Sequence, residues 1–138
     1  GGGSLHPASH ETVRNKLHYI RQDGQTVYKF AVRSMAEISY KVAERNNLKG
    51  DDISLFIPHQ ANKRIIDAAA KRLGLKESQI MINIDTYANT TSATIPICIA
   101  EVSEKNMLNF GDNVIISTFG AGFSWGAMYL KWGMQANA

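Results

Sequence analysis

The sequence predicts an α/β fold: a layered, mostly parallel sheet with one antiparallel strand and helices on both faces. Strand-length apolar segments alternate with amphipathic helical segments along the 138 residues, and this order is typical of parallel sheets. The last two predicted strands are joined only by Gly120-Ala121-Gly122. They should therefore pair antiparallel, because a parallel crossover needs about a dozen residues or more. The chain is long enough for one domain with a buried core.

The composition is that of an ordinary globular protein. Hydrophobic residues make up 44% and charged residues 20% of the chain, and the net charge is +3, which is less basic than a typical nucleic-acid binder. Cys98 is the single cysteine, which excludes an internal disulfide and a multi-cysteine metal site. No apolar segment approaches the roughly 18 residues of a membrane span, and no signal peptide is visible. We therefore expect a cytoplasmic protein that binds no nucleic acid, no membrane and no metal.

The predicted elements begin with a loop and a long helix. Residues 1–4 are rich in glycine and fit a linker or a native loop equally well. Residues 5–16 show no clear periodicity, so we interpret residues 1–16 as an exposed loop, and residues 17–22 as a short strand before a turn. Over residues 26–46, apolar side chains recur at three- and four-residue steps, which predicts a helix.

Two strand–helix pairs follow. Residues 51–57 are predicted as a buried strand, and residues 61–73 as an amphipathic helix that ends at a glycine cap. Residues 79–84 are predicted as the next strand and residues 92–105 as the next helix. Pro96 lies near the start of that helix, where the missing N–H costs least.

The chain ends in two predicted strands, residues 113–119 and 124–132, and a tail, residues 133–138. We interpret residues 1–138 as a single domain. The apolar faces of its predicted helices exceed what one small sheet can hide, which points to a further surface that covers them.

Polar residues follow the carboxyl ends of the predicted strands. His59 comes shortly after the strand over residues 51–57, and Asn89 lies in a polar loop after the strand over residues 79–84. A histidine beside a proline at a strand end is more often a hydrogen-bonded structural residue than a catalytic one. If the strands are parallel, however, both ends lie at one edge of the sheet and the two side chains converge. With backbone N–H groups from the loop 119–123, they would form a donor set suited to negative charge on a carbonyl oxygen.

The residues offer no clear nucleophile for such a site. Cys98 lies in the apolar part of a predicted helix, so we interpret it as a small buried hydrophobic residue. Ser117, Thr118 and Ser124 lack an obvious neighbouring base. The residues by themselves therefore predict hydrogen-bond donors without a reacting group.

Three short motifs follow one another along the chain. They are Pro58-His59-Gln60-Ala61-Asn62 with Arg64-Ile65-Ile66, then Asn89-Thr90-Thr91-Ser92-Ala93, and then Phe119-Gly120-Ala121-Gly122-Phe123-Ser124-Trp125-Gly126. Together they resemble β-ketoacyl-[acyl-carrier-protein] synthase III. The resemblance extends from about Val27 to Trp132 and corresponds to the carboxyl-terminal half of this enzyme, which implies a thiolase-like half.

The resemblance implies a Cys-His-Asn triad. The family's histidine falls on His59 and its asparagine on Asn89, whereas the cysteine belongs to the amino-terminal half, which this chain lacks. Sister condensing enzymes of fatty-acid elongation carry a second histidine, and thiolases a cysteine, in place of the asparagine. Asn89 therefore indicates the initiating class or the similar plant-type polyketide synthases, and the motif around His59 favours the former. The implied activity is acyl transfer: decarboxylative condensation of an acyl-coenzyme A primer, acetyl-coenzyme A by expectation, with malonyl-acyl carrier protein, without a cofactor.

The resemblance implies binding roles along the predicted helix 61–73. Ala61 and Asn62 would contact the pantetheine arm, and Arg64 would lie where the coenzyme A phosphate and the carrier protein approach. Together with Arg64, Lys71 and Arg72 would form a basic surface for the acidic acyl carrier protein. A solvated cationic helix face explains Lys71 and Arg72 equally well.

Two alanines stand where the family usually has glycine. By resemblance, the backbone N–H of Ala121 would belong to an oxyanion hole, together with the N–H of the absent cysteine, and Ala88 directly precedes Asn89. A backbone donor survives the replacement of glycine by alanine unless the position requires a positive φ. The conformation at these two positions therefore decides what the replacements cost.

The resemblance further implies that the complete protein is a homodimer and contains an amino-terminal half that bears the nucleophilic cysteine. We expect this chain alone to be inactive. Two alternatives stay open. In the first, the chain is an inert fragment or subunit that binds the carrier protein or a partner half. In the second, it belongs to a related polyketide- or quinolone-type condensing enzyme.

Overall fold

A mixed three-stranded sheet lies between two groups of helices. The computed structural model describes residues 2–134. Its strands and helices are β1 (Leu55–Pro58), β2 (Asn113–Gly120), β3 (Ser124–Lys131), α1 (His10–Arg14), α2 (Gly24–Arg45), α3 (Lys63–Leu73), α4 (Ile84–Tyr87) and α5 (Thr94–Glu104). Short 3-10 helices cover Gly50–Asp52, Glu77–Gln79 and Thr91–Ala93.

The sheet has the strand order β1-β2-β3. β1 runs parallel to β2, with Leu55 opposite Val114 and Ile57 opposite Ile116. β2 and β3 are antiparallel, as the short link between them predicts. The carboxyl ends of β1 and β2 therefore lie at one edge of the sheet, where the loops that follow them meet.

Each face of the sheet contributes to its own apolar cluster. One cluster combines the sheet with α2 and α3: Ala31, Met35, Ala43, Ile53, Phe56, Ile65, Ala69, Ala70, Leu73, Ile115 and Phe119. The other combines it with α5: Leu55, Ile57, Met81, Cys98, Val102, Leu108, Val114, Ile116 and Trp132. Burying one large apolar side chain contributes about 1.5–3 kcal/mol. The alternation along β1 and β2 thus places helices on both faces, and the predicted α/β architecture is confirmed.

The three longer predicted helices form close to their expected bounds. α2 begins at residue 24 because the carboxylate of Asp23 accepts hydrogen bonds from the backbone N–H groups of Gln25 (3.1 Å) and Thr26 (3.2 Å), which makes an N-cap. α3 ends where Gly74 adopts a left-handed φ of 71°, the conformation that glycine adopts most easily. α5 follows a 3-10 helix and begins at residue 94 rather than 92, with Pro96 in its first turn.

The predicted strand over residues 17–22 is wrong, and so is the predicted loop over residues 1–16 where α1 forms. Ser9 and Thr12 make a capping box in which the backbone N–H of each donates to the hydroxyl of the other (2.9 and 3.2 Å), and this starts a helix. After the helix, the backbone N–H of Leu17 donates to the carbonyl oxygen of Thr12 (2.9 Å). The segment therefore turns back on the helix instead of extending.

The predicted strand over residues 79–84 is also wrong. This segment makes a single parallel bridge to Phe56 in β1, where the N–H of Met81 donates to the carbonyl oxygen of Phe56 (2.9 Å). A side chain then takes the place of further strand pairing, because Oε1 of Gln60 accepts from the backbone N–H of Asn83 (3.1 Å). The chain turns into α4 directly afterwards.

The carboxyl-terminal strand is one residue shorter than predicted. β3 ends at Lys131, and the buried Trp132 donates its backbone N–H to the carbonyl oxygen of Asp112 (2.8 Å). Of the predicted tail over residues 133–138, residues 133 and 134 lie outside helices and strands, and residues 135–138 lie outside the described residues.

The two alanines that replace glycine differ in conformation. Ala88, at the end of α4, has φ 58° and ψ −164°, a region that only glycine adopts without strain and that costs other residues about 1–3 kcal/mol. Ala121 is not one of the five non-glycine residues of the described chain that have positive φ. Replacement of glycine by alanine is therefore costly at residue 88 and tolerated at residue 121.

We expect the substitution Ala88→Gly to raise the free energy of unfolding by about 1 kcal/mol, because it relieves this backbone strain. Ala121→Gly is the matched control. It relieves no strain and increases the freedom of the unfolded chain, so it should lower the free energy of unfolding by about 0.4–1 kcal/mol. Denaturant unfolding of the complete protein measures both. A shift of the same sign and size in the two variants would contradict the strain at Ala88.

Candidate active site

His59 lies immediately after β1 and is held by the sheet. Its backbone N–H donates to the carbonyl oxygen of Ser117 in β2 (2.8 Å), which continues the pairing of the two strands by one position. The ring is partly buried, and Nδ1 lies 2.6 Å from the hydroxyl oxygen of Thr94. With Nδ1 engaged by Thr94, Nε2 is the ring nitrogen that can meet a ligand. Burial lowers the pKa of His59 below its ordinary value, which favours the neutral ring near pH 7.

Gln60 positions the loop that carries His59. Its side chain is 1% exposed and uses both ends of the amide. Nε2 donates to the carbonyl oxygens of Pro58 (2.8 Å) and Met81 (3.1 Å), and Oε1 accepts from the backbone N–H of Asn83 (3.1 Å). The end of β1 is thereby joined to the segment that leads toward Asn89. The sequence analysis does not predict this role for Gln60. The signal that could have indicated it is the position of a glutamine between a strand and the start of a helix.

The side chain of Asn89 is oriented by its own loop. Its Oδ1 accepts a hydrogen bond from the backbone N–H of Thr91 (3.0 Å). Because the amide oxygen is bound to the loop, the Nδ2 group points away from that bond and can donate to a ligand. Asn89 is exposed, so this donor is accessible.

A continuous chain of hydrogen bonds joins the two predicted site residues. Nδ1 of His59 lies 2.6 Å from the hydroxyl oxygen of Thr94, and the backbone N–H of Thr94 donates to the carbonyl oxygen of Thr91, which also lies 3.1 Å from that hydroxyl oxygen. The backbone N–H of Thr91 in turn donates to Oδ1 of Asn89. Thr94 was not among the residues that the motifs indicate. The structure thus brings His59 and Asn89 to one network, although the segment before Asn89 makes only an isolated parallel bridge to β1 and not the predicted strand.

The loop after β2 lies at the same edge of the sheet. Ala121 is exposed in the turn that joins β2 to β3. The next residue, Gly122, has φ 140°, and a Cβ there would lie 2.6 Å from the hydroxyl oxygen of Ser124. Phe119 and Phe123 pack on either side of this turn with ring centroids 5.2 Å apart. The turn is therefore tight, is supported by an aromatic contact, and lies at the edge of the sheet where β1 ends at His59.

The cations of α3 have different surroundings. Asn62 is the N-cap, and its Oδ1 accepts from the backbone N–H of Arg64 (2.9 Å), so its Nδ2 group is the part left for a ligand. Arg64 and Lys71 are exposed and seven residues apart, which places them on the same side of the helix about 10 Å apart. The guanidinium of Arg72 lies over the ring of Tyr40, 4.5 Å from its centroid, which commits it in part to packing. Ala61 precedes the cap and is partly buried.

Cys98 is buried, as predicted. Its Sγ donates to Oδ1 of Asn83 (3.3 Å). Burial, followed by the nearby charge of Glu101, raises the pKa of the Cys98 thiol to about 11, so the reactive thiolate is scarce at neutral pH.

Within residues 2–134, no helix is long and apolar enough to cross a membrane, and no group of three or more His, Cys, Asp or Glu side chains could hold a metal ion.

Comparison with known proteins gives consistent results. Residues 43–132 match the family model described as "3-Oxoacyl-[acyl-carrier-protein (ACP)] synthase III C terminal". The β-ketoacyl-[acyl-carrier-protein] synthase III of Chlorobium chlorochromatii is 52% identical over 132 residues, which cover 96% of this chain and 40% of that protein. The chain thus spans about 40% of the length of these curated relatives.

Solved structures of the same class share the fold. The synthase III from Thermus thermophilus has a TM-score of 0.78 and 44% identity, over 82% of this chain and 35% of that one. The 3-oxoacyl-[acyl-carrier-protein] synthase III from Aquifex aeolicus has a TM-score of 0.80 and 39% identity, over 86% and 38%. The fold, the three motifs and the family match agree, and the chain belongs to the β-ketoacyl-[acyl-carrier-protein] synthase III family, of which it represents the carboxyl-terminal part.

Proposed function

We propose that this chain is the carboxyl-terminal half of an enzyme that condenses an acyl group from acyl-coenzyme A with malonyl-acyl carrier protein and releases carbon dioxide, thereby initiating fatty-acid synthesis. The observation that carries the proposal is the hydrogen-bond chain from the His59 ring through the hydroxyl and backbone N–H of Thr94, and through Thr91, to Asn89. Nε2 of His59 and Nδ2 of Asn89 lie outside these contacts, and in the proposal both donate to one ligand atom. Acetyl-coenzyme A is the expected primer.

The decarboxylation step gives these donors their task. When the malonyl thioester loses carbon dioxide, the electron pair of the broken carbon–carbon bond moves into the thioester, and its oxygen gains negative charge. Nε2–H of His59 and Nδ2–H of Asn89 donate to this enolate oxygen. Preorganised donors of this kind are worth about 10²–10³ in rate each. The enolate carbon then attacks the acyl-cysteine carbonyl, and the cysteine leaves as thiolate.

The attack places negative charge on a second oxygen, that of the acyl group. The backbone N–H of Ala121 is proposed as one donor to this oxygen, and the N–H of the nucleophilic cysteine as the other. The conformation at Ala121 supports this role, because alanine is unstrained there and keeps the N–H of the glycine that it replaces.

The nucleophile of the proposed triad is a cysteine of the amino-terminal half. Cys98, the single cysteine of this chain, is unsuited to the role because it is buried and its pKa is raised to about 11. We therefore expect turnover from the complete protein and none from this chain alone. We also expect the complete protein to be a cytoplasmic homodimer that needs no cofactor.

The start of α3 is the proposed binding region for the substrates' pantetheine and phosphate groups. Ala61 and Asn62 precede the helix, and the partial positive charge of a helix amino terminus favours the phosphate groups. Arg64 and Lys71, on one side of the helix, form the proposed contact with the acidic carrier protein. Arg72 belongs to the same basic surface, although its packing on Tyr40 leaves it less free to move.

The substitution His59→Ala in the complete protein should lower the rate of malonyl-acyl carrier protein decarboxylation by about 10²–10³, because one enolate donor is lost. Acyl transfer from coenzyme A to the cysteine should be less affected, since that step does not use the enolate. Release of carbon dioxide and formation of the acyl-enzyme measure the two half-reactions separately. His18→Ala, at an exposed histidine, is the control. Equal loss of both half-reactions would contradict the role given to His59.

The pH dependence of stability tests whether His59 is neutral in the folded protein. Burial lowers its pKa on folding, so the unfolded state takes up a proton at a higher pH than the folded state. This contribution to stability is present above about pH 6.5, the ordinary histidine value, and is lost as the pH falls through the lower folded pKa. The free energy of unfolding of the wild type should thus fall more between pH 7 and pH 5 than that of His59→Asn. Parallel pH curves for the two proteins would contradict it.

The double substitution Arg64→Glu with Lys71→Glu should raise KM for malonyl-acyl carrier protein by about tenfold or more, because it reverses two charges that face an acidic partner. With the single substitution Lys71→Glu, KM for acetyl-coenzyme A should change much less than KM for malonyl-acyl carrier protein. The control is Lys16→Glu with Lys131→Glu, which makes the same change of charge at exposed residues away from α3. An unchanged KM for the carrier protein would indicate a solvated helix face instead of a docking surface.

A further inference from the structure

Thr94 is the residue in contact with His59 that no motif indicates. It is the first residue of α5, it is 3% exposed, and its hydroxyl oxygen lies 2.6 Å from Nδ1 of His59 and 3.1 Å from the carbonyl oxygen of Thr91. A hydroxyl carries one proton and can donate it to one of these two neighbours at a time. The position of that proton decides which nitrogen of the neutral His59 ring carries the hydrogen.

Three observations favour donation of the Thr94 hydroxyl hydrogen to Nδ1 of His59 rather than to the carbonyl oxygen of Thr91. Hydroxyl donors make bonds of about 2.5–3.0 Å to oxygen, so 3.1 Å to Thr91 is long for such a bond. N–H donors make bonds of about 2.7–3.2 Å to oxygen, so 2.6 Å is short for donation by Nδ1–H. In addition, the carbonyl oxygen of Thr91 already accepts the backbone N–H of Thr94, and it therefore does not need the hydroxyl.

We propose that Thr94 is a positioning residue: its hydroxyl donates to Nδ1 of His59 and thereby keeps the ring in the tautomer that carries its hydrogen on Nε2. The inference rests on the proposed function, in which Nε2–H donates to the enolate oxygen. In the other neutral tautomer, Nε2 would present a lone pair to that oxygen and repel it. A threonine hydroxyl thus makes one tautomer of His59 the ground state before any substrate binds.

The surroundings of Thr94 make this contact rigid. The residue begins a helix whose next turns bury Cys98 and Val102 in the core, so its Cα is held by packing. Its β-branched side chain has few accessible rotamers. The histidine comes from β1 and the threonine from α5, so the contact also fixes the ring against the helix on which the Asn89 loop ends.

The test uses three variants of the complete protein. Thr94→Val removes the hydroxyl and keeps the shape, Thr94→Ser keeps the hydroxyl, and His59→Ala identifies the ring signals. NMR of isotope-labelled histidine at neutral pH reports which ring nitrogen carries the hydrogen. Release of carbon dioxide from malonyl-acyl carrier protein and formation of the acyl-enzyme are measured as before, and thermal unfolding shows that each variant is folded.

We expect the wild type and Thr94→Ser to show the tautomer with hydrogen on Nε2, and Thr94→Val to show a mixture. Decarboxylation should fall by about fivefold or more in Thr94→Val, the loss that corresponds to one ordinary hydrogen bond. Acyl-enzyme formation should stay within about twofold of the wild type, because the enolate donor is not used in that step. Thr94→Ser should restore decarboxylation.

Other outcomes would overturn the inference, and they are distinguishable from failure of the proposed function. A folded Thr94→Val variant with the wild-type tautomer and the wild-type decarboxylation rate would exclude Thr94 from this role, even if His59→Ala abolishes decarboxylation. Equal loss of both half-reactions in Thr94→Val would indicate a general structural role. If His59→Ala itself retains decarboxylation, the proposed function fails, whereas the tautomer measured by NMR still tests the Thr94 contact.

Discussion

The buried amide of Gln60 is the interaction on which the site depends. It satisfies two carbonyl oxygens and one N–H at the place where β1 ends and the neighbouring segment leaves the sheet. A substitution that removed it would leave three buried backbone groups without their partner, at about 1–3 kcal/mol for each group left unsatisfied. The groups belong to Pro58, Met81 and Asn83, so the same amide sets the exit of the His59 loop and the path toward Asn89. The geometry of the candidate site thus depends on a buried side chain that lies between the two loops.

The sequence predicts this fold well where many residues share one periodic signal. α2, α3, α5 and the hairpin of β2 and β3 extend over 8–22 residues each. The two segments wrongly predicted as strands are short and apolar, and most of their backbone hydrogen bonds go to partners outside a neighbouring strand. At residues 17–22 a capping box starts a helix before them, and at residues 79–84 the side chain of Gln60 replaces the next strand partner. Periodicity carries no information about such single side-chain bonds.

The residues of the candidate site are likewise predictable from the sequence only in part. The sequence predicts His59 and Asn89 from their positions after two predicted strands, of which only the first forms, and the motifs give each a role by resemblance. The contact of Thr94 with His59 cannot be predicted in this way. Thr94 is the first residue of an apolar helix, and its spacing from His59, 35 residues, follows no rule of local structure. Its hydroxyl becomes informative only when the fold places α5 beside the end of β1. The tautomer of His59, which decides whether Nε2 donates or accepts, is therefore a property of the tertiary structure.

The loop around Asn89 contains strained backbone, which lowers the stability of the folded protein. Ala88 and Thr91 both have positive φ, at 58° and 54°, on either side of the asparagine. Such conformations cost about 1–3 kcal/mol each for residues other than glycine, and they persist because Thr91 is bonded to Asn89 on one side and to Thr94 on the other. Folding offsets the cost of this strain, so under the proposed function the donors would need little reorganisation when charge develops on a bound thioester. Relief of the strain at Ala88 should accordingly stabilise the protein, and any loss of decarboxylation in Ala88→Gly would measure how much the rigidity of this loop contributes to the alignment of Asn89.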